Sequence, residues 1–196
     1  MMTMGGGRLT MINCRIENNT VKDDSDIKSS SGGGISLPWC PYTAVIDGGT
    51  IAGNKIDMSA KTSAASLLEA EGCGLDCSAK PGSMTIIKGH TVIENNQCIP
   101  HTNTSKSCDC KGMGIFCGGG PLTIGETGKD NDESPEILNH GNSIPARVDV
   151  AGTALYINGG SVSWRRGKIH NNGSNLNNTI KNIEGTLSNL SETSPS

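Results

Sequence analysis

One spacing constrains this chain more than any residue type does. Glycine corners fall at Gly32, Gly72, Gly112 and Gly152, each 40 residues after the one before. An apolar stretch follows each of them, at residues 35–37, 75–77, 115–117 and 154–157. Between corners a second signature recurs. Its clearest copy is AVIDGGTIAGNKI at 44–56, with looser copies at 9–21, 84–97 and 155–172. Self-similarity at a fixed period marks a supersecondary unit that cannot bury its apolar face alone and must stack on its neighbours.

Within the unit 32–71, three short strands are expected at about 34–37, 43–47 and 50–54, followed by a polar loop over 61–71. The unit 72–111 repeats this with strands at 75–77, 83–88 and 91–94 and a loop over 98–111. The unit 112–151 is less regular: strands at 115–117 and 122–124 precede a charged insertion, 125–135, before a strand at 136–139. A last unit runs over 152–172. The Asp47-Gly48-Gly49 turn fits either a hairpin or a corner in a coil that keeps winding. The 40-residue recurrence favours the coil, because each strand then meets its copy one turn later, about 4.8 Å away. The repeat domain is taken as residues 1–172, a fragment of a longer array. Residues 173–196 form a polar tail: a linker, an imperfect last coil, or a helix suggested by Ile180, Ile183 and Leu187.

Composition suits narrow stacked coils. Aromatic residues make up only 3% of the chain, so the apolar mass comes from Ile, Val, Leu, Met and Cys. β-Branched side chains fit a pleated surface. Asn clusters at 18–19, 54, 95–96 and 171–172 close the last strand of a unit. They serve either as plain turn residues or, at Asn18, Asn54 and Asn95, as rungs of a stacked amide ladder. Eight Cys at 14, 40, 73, 77, 98, 108, 110 and 117 lack the spacing of a zinc ribbon. They read as small core residues or as bridges, and Cys77 is expected to stack on Cys117.

Charge and hydropathy exclude some functions. A formal net charge of −3 and the lack of a basic block argue against a nucleic-acid partner. No apolar run reaches the length of a membrane-spanning helix. The first ten residues lack the apolar centre of a secretory leader.

The segments GGGISL at 32–37 and Ile16-Glu17-Asn18-Asn19, Ile51-Ala52-Gly53-Asn54 and Ile93-Glu94-Asn95-Asn96 resemble a known family. They are similar to the repeats of bacterial surface proteins of the polymorphic outer-membrane-protein and autotransporter-passenger type. Those repeats pair a GGA-aliphatic segment with F-x-x-N; here Ile replaces Phe. The resemblance implies an all-β right-handed parallel β-helix, a solenoid of about four to five coils with variable loops at one corner. It implies a secreted or cell-surface, adhesin-like scaffold without catalysis, whose partner is a host surface protein or a polysaccharide. The loops expected to make contact are 22–31, 57–71, 97–111 and 125–135.

The same fold class also hosts polysaccharide lyases and hydrolases, so a carbohydrate-active or polysaccharide-binding protein is the alternative. Hydrolysis needs carboxylates converging on one face. The candidates Asp23, Asp24 and Asp26, and Asp130, Asp132 and Glu133, lie in polar loops. Trp164-Arg165-Arg166 is the one patch shaped for a sugar ring and a carboxylate. The four His, at 90, 101, 140 and 170, show no metal-ligand spacing. No catalytic, cofactor-binding or metal-binding residue is assigned, and no cofactor is expected. Sequons at Asn18, Asn103, Asn172, Asn177 and Asn189 are common by chance in an Asn-rich chain.

Overall fold

The computed structural model describes residues 2–3, 7–37, 41–78, 80, 82–127, 133–140, 148–170, 172, 180–182 and 186–188, the side chains of 2, 3, 181, 182 and 186–188 excepted. Among them the chain is all-β, without an α-helix, and every strand pairing is parallel. No helix is long and apolar enough to cross a membrane among these residues.

Strands are numbered in chain order and fall into four sheets. The first holds β1 (Met2–Thr3), β5 (Ile35–Leu37), β9 (Leu75–Cys77), β13 (Ile115–Cys117), β17 (Leu155–Ile157) and β20 (Ile180–Asn182). The second holds β2 (Gly7–Glu17), β6 (Tyr42–Ala52), β10 (Met84–Glu94), β14 (Pro121–Ile124), β15 (Glu136–Leu138), β18 (Ser161–Trp164), β19 (Lys168–His170) and β21 (Thr186–Ser188). The third holds β3 (Thr20–Lys22), β7 (Lys55–Asp57) and β11 (Gln97–Ile99). The fourth holds β4 (Ser29–Ser31), β8 (Leu67–Glu71), β12 (Ser107–Lys111) and β16 (Val148–Ala151). From β4 to β12 the chain visits the fourth, first, second and third sheets in that rotation, twice over.

The Gly-Gly turn is therefore not a hairpin. Gly48 and Gly49, with φ of 70° and 94°, sit inside β6, which keeps its direction and pairs in parallel with β2 and β10 on both sides of the turn. A Cβ on Gly49 would lie 2.0 Å from the Cys14 carbonyl oxygen, so only glycine fits the approach of neighbouring backbones. The expected pair of strands at 43–47 and 50–54 is thus one bent strand. In the next unit but one it does split: residues between β14 and β15 separate two segments that both pair with β10.

Two expectations fail. The polar loops 61–71 and 98–111 both end in strands, β8 and β12, the loop 22–31 ends in β4, the loop 98–111 begins inside β11, and β7 follows where no strand was expected after residue 54. A fourth sheet was hidden because its strands read LLEAE, SCDCK and SSS, with small or polar residues where an apolar run would signal a strand. In the tail, β20 pairs with β17 and β21 with β18, so Ile180 and Leu187 lie on strands and not on a helix; Ile183 falls outside the described residues.

The core follows from the register. Ile35, Leu75, Ile115 and Leu155 are aligned partners, as are Leu37, Cys77, Cys117 and Ile157. Ile16, Ile51, Ile93, Ile137 and Ile169 form another column. These columns meet in one apolar cluster. A second cluster, with Met58, Leu68, Ala70, Met113 and four cysteines, fills the space between the third and fourth sheets. Cys77 is aligned with Cys117, as expected.

A polar row runs beside the Ile column. Asn19 Nδ2 donates to Asn54 Oδ1 at 2.9 Å, and Asn54 Nδ2 donates to Asn96 Oδ1 at 3.0 Å. Asn96 Nδ2 lies 3.2 Å from His140 Nε2, and His140 Nδ1 lies 2.8 Å from Asn172 Oδ1. The ladder exists, yet of the three expected rungs only Asn54 belongs to it. Asn18, Asn95 and Asn139 hold φ of 56°, 53° and 61° at the corner, with Gly53 at 63° in the equivalent place, and it is the next residue that turns inward. The inward amides need space: a Cβ on Gly34 would stand 2.9 Å from Asn54 Nδ2, and one on Gly74 2.8 Å from Asn96 Nδ2.

Neighbouring asparagines should therefore respond differently. Asn96→Ala leaves the Asn54 N–H, the Ile51 carbonyl and His140 Nε2 without their partner and is expected to cost about 2–4 kcal/mol. Asn95→Gly, at an exposed left-handed position, should change stability by less than about 1 kcal/mol. Urea unfolding of the two variants decides the matter.

Candidate functional site

The loops after the third sheet form one built edge. Each contains an Asx turn that the sequence spells as Asx-x-Ser, at the start of the first two loops and within the third. The Ser25 N–H donates to Asp23 Oδ1, Ser59 N–H to Asp57 Oδ1 and Ser105 N–H to Asn103 Oδ1, each at 2.9 Å. The loops are also bonded to one another. Thr62 N–H donates to the Ser25 carbonyl at 3.0 Å, and Thr62 Oγ1 to the Asp24 carbonyl at 3.0 Å. One period on, Thr102 N–H and Oγ1 both donate to the Ser59 carbonyl, at 3.3 and 3.1 Å. The His101 ring accepts the Asn103 N–H at Nδ1, 2.7 Å away, so its Nε2–H donates to the Lys61 carbonyl at 2.9 Å. Lys106 Nζ donates to the Ser63 carbonyl. Asp24, Asp26, Ile27, Thr62, Ala64 and residues 102–105 remain exposed along this edge. Ile27 is 64% exposed, an apolar side chain held in water.

Beneath the edge lies a buried charge that the sequence did not reveal. Lys61 is 1% exposed, and its Nζ pairs with Asp23 Oδ2 at 2.5 Å and donates to Ser30 Oγ at 3.0 Å. Burial pushes the Asp23 carboxyl up, but hydrogen bonds from Lys61, Ser25 and Ser30 together outweigh it, and the group titrates well below the usual carboxylate range. A lysine within a polar stretch reads as solvated; only the stacking of the 23–28 loop over residue 61 encloses it.

A second polar feature runs on the outer faces of the first and fourth sheets. Glu69 pairs with Lys111 at 2.9 Å and Lys28 at 3.2 Å, and Lys111 also reaches Glu71 at 3.8 Å. Burial raises Glu69, but the two lysines prevail and hold it below its ordinary value; burial raises Glu71 above its own. Asp76, 2% exposed, accepts from Ser78 Oγ at 2.5 Å and Ser36 Oγ at 3.4 Å. Burial pushes it up to about 6, against those hydrogen bonds. Its aligned successors Phe116 and Tyr156 stack with ring centroids 5.6 Å apart. Both rings are buried, so neither face is open to a sugar.

The other candidates do not converge. Asp24 and Asp26 are exposed while Asp23 is committed to Lys61, and Asp130 and Asp132 lie outside the described residues. Trp164 is 5% exposed and packs in the main core, so the Trp164-Arg165-Arg166 patch offers no stacking surface. Asn172 is 2% exposed and donates to the Ile137 and His170 carbonyls, which removes it as a glycosylation acceptor; Asn177 and Asn189 lie outside the described residues. Among the described residues no three His, Cys, Asp or Glu side chains are arranged to hold a metal ion. Comparison with protein-family models, with curated proteins and with solved structures finds no match.

Two expectations follow for stability. Asp23→Asn leaves a fully buried ammonium unpaired and should cost about 3–5 kcal/mol. Lys61→Met leaves only a partly hydrated carboxylate and should cost about 1–3 kcal/mol. The double variant should then be more stable than Asp23→Asn alone, as chemical unfolding will show. Asp76 acts on pH dependence. Folded, it keeps its proton to about pH 6, whereas an unfolded aspartate loses it near pH 4. Folding takes up a proton in that window, so this group's contribution falls as pH rises through it. Buried His140, its pKa lowered to about 4 by burial against the Asn172 hydrogen bond, acts with the opposite sign and masks the effect in the parent protein. Asp76→Asn should therefore match the parent near pH 4 and exceed it by about 1–3 kcal/mol above pH 6. Melting curves of both proteins across pH 4–7 give the difference.

Proposed function

We propose that the chain winds as a right-handed parallel β-helix of four to five coils, and that it serves as a secreted or cell-surface scaffold without catalytic activity. The parallel, in-register pairing of strands about one period apart and the rotation through four sheets support that winding. The stacked loops 23–28, 58–66 and 100–106 are its contact edge, for a surface protein or a polysaccharide of a host or neighbouring cell.

One observation carries this reading. The loops are hydrogen-bonded rung to rung and anchored from below by the Lys61–Asp23 pair, while their outer side chains stay free of the core. A preformed edge binds without the cost of ordering itself. The strand-face carboxylates speak for structure in contrast, because Glu69 is engaged by two lysines and Asp76 by three serines.

The test has two arms. Immobilised protein is screened against cell-surface glycans and matrix proteins, and a partner so found should lose at least about tenfold in affinity for Ile27→Asp or for Thr102→Ala combined with Asn103→Ala, with the β-sheet circular dichroism unchanged. In parallel, incubation with acidic polysaccharides should yield neither unsaturated products nor new reducing ends. Product formation that Asp76→Asn abolishes would replace the scaffold with a polysaccharide-acting enzyme.

A further inference from the structure

The second core cluster holds four thiols at a density that packing does not require. Cys98 lies on β11, Cys108 and Cys110 on β12, and Cys73 in the corner that follows β8, all of them buried. The Cys98 and Cys108 sulfurs are 3.4 Å apart, and those of Cys73 and Cys110 are 3.5 Å apart. The Cys98 thiol also interacts electrostatically with Cys110, so the four thiols form one row. The remaining described cysteines behave otherwise. Cys14 is exposed, and the Cys117 thiol points at the Gly120 carbonyl 3.6 Å away.

We propose that this row is a built oxidation site, which closes into two disulfides, Cys98–Cys108 and Cys73–Cys110, on exchange with a small disulfide such as oxidised glutathione. Closing each bridge brings its sulfurs from 3.4 or 3.5 Å to the bonded distance of about 2.05 Å. The chemistry balances as two successive exchanges. On local opening of this buried cluster, the Cys98 thiolate attacks a glutathione sulfur, forming a mixed disulfide and releasing one glutathione thiolate. The Cys108 thiolate then attacks Cys98, releasing the second glutathione. The two protein thiols are oxidised, one glutathione disulfide is reduced, and their two protons leave on the two glutathiones. Cys73 and Cys110 react in the same way. Cys98 is placed to begin, since the Cys108 S–H donor and the Cys110 thiol favour its thiolate and hold its pKa down.

The two bridges do different work. Cys98–Cys108 would clamp the base of the loop 100–106, part of the stacked edge. Cys73–Cys110 would join one period of the repeat to the next, since the two residues lie 37 positions apart. Oxidation would thus harden the edge and lock two coils together, whatever partner the edge contacts.

The experiment uses the full chain carrying Cys14→Ser and Cys40→Ser, held in reduced or in oxidised glutathione, then denatured, alkylated and mapped by mass spectrometry. The oxidised sample should be about 4 Da lighter before alkylation than the reduced one, through loss of two hydrogens per bridge. It should yield the linked peptides Cys98–Cys108 and Cys73–Cys110, with Cys77 and Cys117 alkylated. It should melt about 5–15 °C higher than the reduced sample. Cys98→Ser should keep the Cys73–Cys110 bridge alone and lose about 2 Da. Full alkylation after oxidation overturns the proposal. So do bridges that involve Cys77 or Cys117, a bridged form that melts no higher, and stoichiometric zinc that copurifies and protects the four thiols.

Discussion

Everything in this molecule depends on parallel strands of one period pairing in register with those of the next. Strands of three to five residues, such as β5 or β7, have no partner nearby in sequence. Their backbone groups are satisfied only by copies about 40 residues away. Register then does the rest. Once Ile35 lies over Leu75 and Ile51 over Ile93, every column is fixed, and a slip by one residue would turn the isoleucines outward. The glycines near the corners belong to this constraint: at Gly33, Gly34 and Gly74 the next period's backbone passes too close for a side chain, and Gly32, Gly72, Gly112 and Gly152 hold positive φ with their own chain folded back against them.

The same stacking explains how polar groups came to be buried without being stranded. Among the described residues no buried side-chain nitrogen or oxygen lacks a hydrogen-bond partner. Asn54, Asn96, Asn172 and His140 are satisfied by the rungs on either side of them or by adjacent carbonyls. Lys61 is satisfied by a loop from the preceding period. Each of these groups would be expensive in an isolated unit and is tolerable only in an array, so the polar interior and the repeat presuppose one another.

What could be read from the sequence was whatever recurs. The glycine corners, the isoleucine columns and the chain's running on without reversal past Asp47-Gly48-Gly49 were legible because a period of 40 residues aligns them. The fourth sheet was not legible, since β8 and β12 bury Leu68, Ala70, Cys108 and Cys110 in alternation with Glu69, Glu71, Asp109 and Lys111. Charged outward residues on a two-faced strand look the same as a solvated loop. The Asn pairs signalled a ladder but not which member entered it; that depends on which residue adopts positive φ, and Asn tolerates either role. Lys61 was invisible because its enclosure comes from residues 38 positions away. The edge of the site was therefore half legible, its loops located and its anchor missed.

The asparagine row has a direction. Each hydrogen bond between rung side chains runs from a donor on the earlier rung to an acceptor on the later one, and neutral His140 keeps that sense by accepting at Nε2 and donating at Nδ1. A string of amides oriented in this way is a one-way thread. A module grafted onto either end of the stack can continue it only if it arrives facing the same way, whereas two stacks meeting nose to nose would set donor against donor or acceptor against acceptor.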